Sequence, residues 1–367
     1  MRRYAVLVIS LLMTAADRGS AAGTGPAELI YHTRCVTNLA PGSRTLVTLL
    51  EAEVAKIIGA GHLMPFRVQY GEGRPRHHFA EPWIMMLTLA RGYSYVGTNT
   101  QSAIRDYVEA ETKLHPPWSS EALGPTGAYR QGDPKGVPEV GLPPKYNLTG
   151  TMFYALWLYG FHTGDWGLIQ PQWNNLQGIY AQLKRSPPTY ETINGAIAMA
   201  RMAREFNDGP AETGFAADAA DLMQAGKNFE SFRRNAHLAY SGKPDWYRGS
   251  DGITFALFHL TPEVARYIKD QPDLRRATEA YVDQALAIWP LWWMAQAPVG
   301  DGGYFDEGCC AGPETRMMLF SYLAWVRQKP AAELSRLVDV PDALVGDCYY
   351  LQNLVTAIEA WGQTEFR

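Results

Sequence analysis

"NLTGTMFYALWLYGFHTGDW", Asn147 to Trp166, carries six aromatic residues in twenty, and its apolar positions leave no polar face. A helix that is apolar nearly all round must be surrounded by other elements. Phe153, Trp157 and Phe161 recur at helical spacing and read as core. The closing "TGDW" reads as a helix stop at Gly164, with Asp165 capping the helix that follows.

The same character recurs along the chain. Nearly apolar stretches at 81–96, 148–163, 190–205, 313–328 and 349–361 alternate with amphipathic ones. One of these is "SRTLVTLLEAEVAKIIGAGH", with Leu46, Leu49, Leu50, Val54 and Ile57 on one side and Gly59 and Gly61 as a stop. A more polar helix is expected from about Phe215 to Tyr240, and shorter ones at "GITFALFHL" and "DLRRATEAYVDQALAIW". Period-2 alternation is confined to a short candidate hairpin near "FRVQYGEG". Buried helices alternating with amphipathic ones predict an all-α fold, an α/α toroid of about six helical hairpins with long loops at one rim.

Two stretches carry a resemblance, "FYALWLYGFHTGDWGLIQPQW" (153–173) and "YETINGAIAMARMAREF" (190–206). In the first, a helix ending in a Thr-Gly-Asp turn leads to an outer helix beginning with Trp; in the second, the next inner helix starts with an acid followed by small residues. The pattern resembles the six-hairpin glycosidase-like superfamily, shared by many glycoside hydrolases and several polysaccharide lyases. The resemblance implies a toroid over about residues 40–362 and a carbohydrate substrate. It transfers no catalytic residue by motif.

Composition sets the remaining bounds. With 367 residues, 47% hydrophobic and 19% charged, the chain is long enough for a large core. Arg2 and Arg3 precede "YAVLVISLLMTAA" and then small residues at Ser20 and Ala22, the layout of a secretory signal peptide. Residues 1–22 are therefore expected to be removed, leaving 23–367 as one secreted or periplasmic domain with no membrane attachment. Loss of Arg2, Arg3, Arg18 and Asp17 moves the formal charge from −4 to −6. That balance, with no basic stripe, argues against a nucleic-acid partner. Cys35, Cys309, Cys310 and Cys348 would meet an oxidising compartment, where Cys35 or Cys348 can pair with one of the adjacent two. Their spacing does not suit a zinc site, and no cofactor or metal is expected.

Chemistry is expected where apolar helices begin, because unpaired N–H groups and the positive dipole end favour acids and hydroxyls there. The residues at those starts are His77, His78 and Glu81; Tyr146 and Asn147; Tyr190, Glu191 and Asn194; Trp246, Arg248 and Asp251; Tyr304, Asp306 and Glu307; Glu314 and Arg316; and Tyr350. Aromatic faces stack on sugar rings, while amides and carboxylates bond hydroxyls. Glycoside hydrolysis needs two carboxylates, about 5–5.5 Å apart for retention or 6.5–9.5 Å for inversion. The candidates are Glu191, Asp251, Asp306 and Glu307, with Glu191 facing Asp306 or Glu307 as the favoured pair. Each has a plainer reading: Glu191 as a dipole partner, Thr189 to Thr192 as capping, and Asp301, Asp306 and Glu307 as calcium ligands. The expected function is glycoside hydrolysis of an oligo- or polysaccharide. The alternatives are β-elimination on a uronic-acid polymer, with His77 or His78 beside a tyrosine, and a non-catalytic helical binding protein.

Overall fold

The computed structural model describes residues 26–60, 83–114, 116–118, 149–241, 259–294, 313–339 and 348–366. The described chain is mostly helical, as expected of an all-α protein. In chain order the helices are α1 (Pro26–Tyr31), α2 (Arg44–Ala60), α3 (Trp83–Tyr93), α4 (Thr98–Leu114), α5 (Gly150–Thr163), α6 (Trp173–Leu183), α7 (Tyr190–Glu205), α8 (Gly209–Gly226), α9 (Phe229–Ser241), α10 (Pro262–Asp270), α11 (Pro272–Ile288), α12 (Pro313–Trp325), α13 (Ala331–Ser335) and α14 (Cys348–Glu359).

Helix α5 is the apolar stretch read first from the sequence. It is buried from Gly150 to Gly160 and ends at Gly164, whose φ of 69° is left-handed and whose N–H donates to Gly160 O at 2.9 Å. Helix α7 is buried from Tyr190 to Ala203. Its small residues allow neighbours on every side. Their packing joins six helices: α3 to α5, α5 to α7, α7 to α10, α10 to α12, α12 to α14, and α14 to α3. The remaining helices lie against these or against one another: α4 on α3 and α2, α2 on α14, α6 and α8 on α7, α1 on α7 and α8, α9 on α8 and α11, α11 on α10, and α13 on α14.

Four expectations need correction. The polar helix near 215–240 is two helices, α8 and α9, broken at Lys227 and Asn228. Of "GITFALFHL", residues 252–258 lie outside the described residues and only its end is corrected, since 259 and 260 are not helical; a helix begins just beyond, at Pro262, where Thr261 caps it and proline suits the first turn. The sequence pattern missed a two-stranded antiparallel sheet, in which β1 (Arg34–Thr37) pairs with β2 (Gln363–Phe366) and Cys35 stands opposite Glu365. Asp165 caps only a turn: its Oδ1 accepts from Gly167 N–H at 2.8 Å, and regular α-helix resumes at Trp173.

The hairpin near "FRVQYGEG" and residues 1–22 lie outside the described residues, as do Cys309, Cys310 and the Cys348 side chain. Among the described residues, no helix is long and apolar enough to cross a membrane.

Candidate functional site

The starts of the packed helices meet in pairs. The Gly150 Cα, at the start of α5, lies so close to α7 that an added Cβ would sit 1.6 Å from the Glu191 carbonyl oxygen. From α7, Asn194 Nδ2 donates to His259 O at 3.0 Å, and Asn194 Oδ1 accepts from Thr261 Oγ1 at 2.7 Å, joining the start of α7 to that of α10. Trp83, first in α3, meets the His259 ring edge-on at 5.0 Å. Arg316, near the start of α12, stands 5.5 Å over the Tyr350 ring near the start of α14.

Of the expected site residues, five have described side chains, among them Arg316 over the Tyr350 ring. Glu191 is buried in the first turn of α7, where Thr189 N–H donates to Thr192 Oγ1 at 3.0 Å and the capping reading holds. Tyr190 donates its hydroxyl to Gly226 O at 2.8 Å, and its ring packs on Phe232 at 5.0 Å. Asn194 and Tyr350 are buried in the helix-joining contacts above. Helix α12 includes Glu314, whose side chain lies outside the described set. Also outside it are His77, His78, Glu81, Tyr146, Asn147, Trp246, Arg248, Asp251, Tyr304, Asp306 and Glu307, and with them the calcium alternative that includes Asp301. Among the described residues, no three His, Cys, Asp or Glu side chains cluster to hold a metal.

The opposite ends of the helices also meet, around a cavity of about 270 Å³ that sequence reasoning did not find. Strand β1 and the last turns of α3, α5, α12 and α14 line it, together with Leu87, Tyr154, Leu158 and Gln352 from further inside those helices and residues 259–262, which Asn194 at the start of α7 holds. Arg34 Nη1 donates to Glu359 Oε2 at 2.7 Å. Arg91 Nη2 reaches the same oxygen at 3.4 Å and Thr356 Oγ1 at 2.8 Å. The Arg91 and Arg34 guanidinia stand 5.2 and 5.9 Å over the Trp325 ring, a favourable cation–π arrangement. Burial alone would raise the Glu359 carboxyl; Arg91 and Arg34 outweigh it and hold the group below its ordinary range.

A second ion pair backs the cavity wall. Arg201 Nη1 donates to Glu263 Oε1 at 2.9 Å, and the Tyr154 hydroxyl donates to Glu263 Oε2 at 2.9 Å. The same guanidinium bonds the carbonyls of Leu29, Ile30 and His32 at 3.1, 2.8 and 3.0 Å, and lies 4.3 Å over the Trp157 ring. Burial and the neighbouring Glu263 charge push the Tyr154 hydroxyl well up, so it stays a hydrogen-bond donor.

Two histidines face the cavity as neutral rings. Burial lowers His259 to about 3 and His162 to about 4. His259 also has a left-handed backbone, φ 51°. His162 Nδ1 lies 2.9 Å from Ser94 Oγ, bridging the ends of α5 and α3. Beside it Phe161 is 39% exposed, stacked on Trp157 at 5.2 Å; the core assignment holds for Phe153 and Trp157 but not for Phe161.

Comparison with protein-family models, with curated proteins and with solved structures gives no match.

Proposed function

We propose that the chain is an exported α/α toroid that hydrolyses glycosidic bonds, with carboxylates at the helix-start end as general acid and base. The toroid reading is supported by the packing sequence that runs from α3 through α5, α7, α10, α12 and α14 back to α3, with further helices laid against it. One observation carries the site: the starts of α5 and α7 touch at Gly150 and Glu191, and the start of α10 joins them through Asn194 and Thr261. This contact supports a common end for the starts of α5, α7 and α10, where the reading puts Glu191.

In this reading Glu191 protonates the leaving oxygen and Asp306 or Glu307 acts as base or nucleophile. Tyr190 and Asn194 serve as supports, since their polar atoms bond backbone and the Thr261 cap.

The test is reducing-end release from a panel of neutral and acidic glycans. Glu191→Gln should lower kcat by about 10²–10⁴ with an unchanged melting temperature. Ultraviolet-absorbing unsaturated uronides in place of plain reducing ends would replace hydrolysis with elimination. Full activity in Glu191→Gln would remove the acid assignment, and no cleavage of any glycan would favour a binding protein.

A further inference from the structure

At the opposite ends of these helices, the cavity bordered by Arg34, Arg91 and Glu359 has a charge balance that the hydrolase reading does not use. Among the described residues, three guanidinia (Arg34, Arg91 and Arg201) stand against two carboxylates, Glu359 and Glu263, in the two ion clusters. Arginine keeps its charge at any ordinary pH. A surplus charge held away from water is costly unless an anion accompanies it.

The surplus falls on Arg34. Arg201 has its carboxylate and three carbonyls, and Arg91 has Glu359, Thr356 Oγ1 and, at 3.4 Å, Gln352 O. Arg34 shares Glu359 with Arg91; among the described residues its other hydrogen bond is a long 3.4 Å approach to Thr364 Oγ1, and its guanidinium lies 5.9 Å over the Trp325 ring. Its side chain is 12% exposed, on the cavity wall. Nearby, the Ser94–His162 pair offers a hydroxyl and an imidazole, and Phe161 offers an exposed ring face.

We propose that this cavity binds a small polyhydroxylated monocarboxylate, its carboxylate on Arg34, its hydroxyls toward Ser94 and His162, and its carbon skeleton against Phe161. A planar guanidinium fork suits a carboxylate, and an amphipathic ring face suits the C–H side of a polyol. About 270 Å³ suits one sugar-sized acid. Glu191 does not line this cavity, and the proposal does not depend on the hydrolase reading.

The experiment titrates the full chain with glucuronate, with glucose as the uncharged ring of the same size, and with inorganic phosphate as a bare anion. Melting temperature and tryptophan fluorescence, to which Trp325 beneath the two guanidinia contributes, are read together. Glucuronate should saturate and raise the melting temperature, while glucose and phosphate leave both signals unchanged. Arg34→Gln should weaken glucuronate at least about tenfold. Phe161→Ala and Ser94→Ala, both at exposed positions, should each weaken it severalfold and decide the matter if Arg34→Gln does not fold. Equal response to glucose and glucuronate, a phosphate response equal to that of glucuronate, or unchanged affinity in these variants would overturn the proposal. Glu191→Gln should retain glucuronate binding even where hydrolysis is lost, which separates the two readings.

Discussion

Arg34 and Glu359, 325 positions apart, meet at 2.7 Å on the wall of the cavity, with Arg91 on the same carboxylate oxygen. One carboxylate therefore restrains two buried guanidinia. Glu359→Gln would leave both without a counter-charge. The expected loss is about 3–5 kcal/mol, read as a lower denaturant midpoint at unchanged slope. Acid should act in the same direction. The folded Glu359 titrates below its unfolded range, so its contribution is present above the unfolded value and is lost as pH falls through the folded one.

The two neutral histidines predict a separate decline at milder pH. Both folded values lie below the ordinary histidine value of 6.5, at about 3 for His259 and about 4 for His162. The unfolded chain then binds more protons than the folded one below about pH 6.5, so stability falls from there toward pH 4. Each histidine contributes a slope of about 1.4 kcal/mol per pH unit at most. His259→Asn keeps a residue tolerant of the left-handed backbone and should flatten the slope. An equally steep decline in His259→Asn, followed by thermal melts from pH 7 to 4, would contradict this origin.

Gly150→Ala tests the close approach of α5 and α7. Its Cβ would lie 1.6 Å from a backbone oxygen, which cannot swing aside as a side-chain tip can. The expected loss is about 3 kcal/mol or more, larger than for most overpacked sites because two helix starts must part. Equilibrium unfolding checks the size, and under the proposed function hydrolysis should fall beyond the loss of folded protein.

Arg201→Met should cost about 3–5 kcal/mol, since it leaves Glu263 charged and buried and releases three carbonyls of the segment around α1. The double variant Arg201→Met/Glu263→Gln should recover part of that loss. A double variant less stable than Arg201→Met alone would mean that Glu263 has a second compensating partner.

The sequence made the long buried helices legible. Helices α3, α5, α7, α12 and α14 fall where the apolar stretches lie, because a helix without a polar face can only be enclosed. Helix α10 was not legible. It has nine residues, and its Glu263 is buried only because Arg201, 62 positions away, meets it. The four-residue strands gave no alternation to read, and each finds its partner only after the helices between have packed. Phe161 was misread because helical spacing does not show where a helix runs out of neighbours. The cavity did leave a trace: Arg91 is a lone charge in "WIMMLTLARGY" and Glu359 a lone opposite charge at the end of "CYYLQNLVTAIE". Isolated charges of opposite sign in two buried helices are candidates for one another.

The β1–β2 pairing has a kinetic meaning. Residues 34–37 emerge before every helix of the packed series and 363–366 after all of them, so their ladder forms only once the intervening chain has been synthesised. Helical hairpins can assemble early from local contacts, while this zipper is the slow, long-range closing step. A chain stalled before residue 363 is then left with an unlatched seam, the natural place for a chaperone or a protease to intervene.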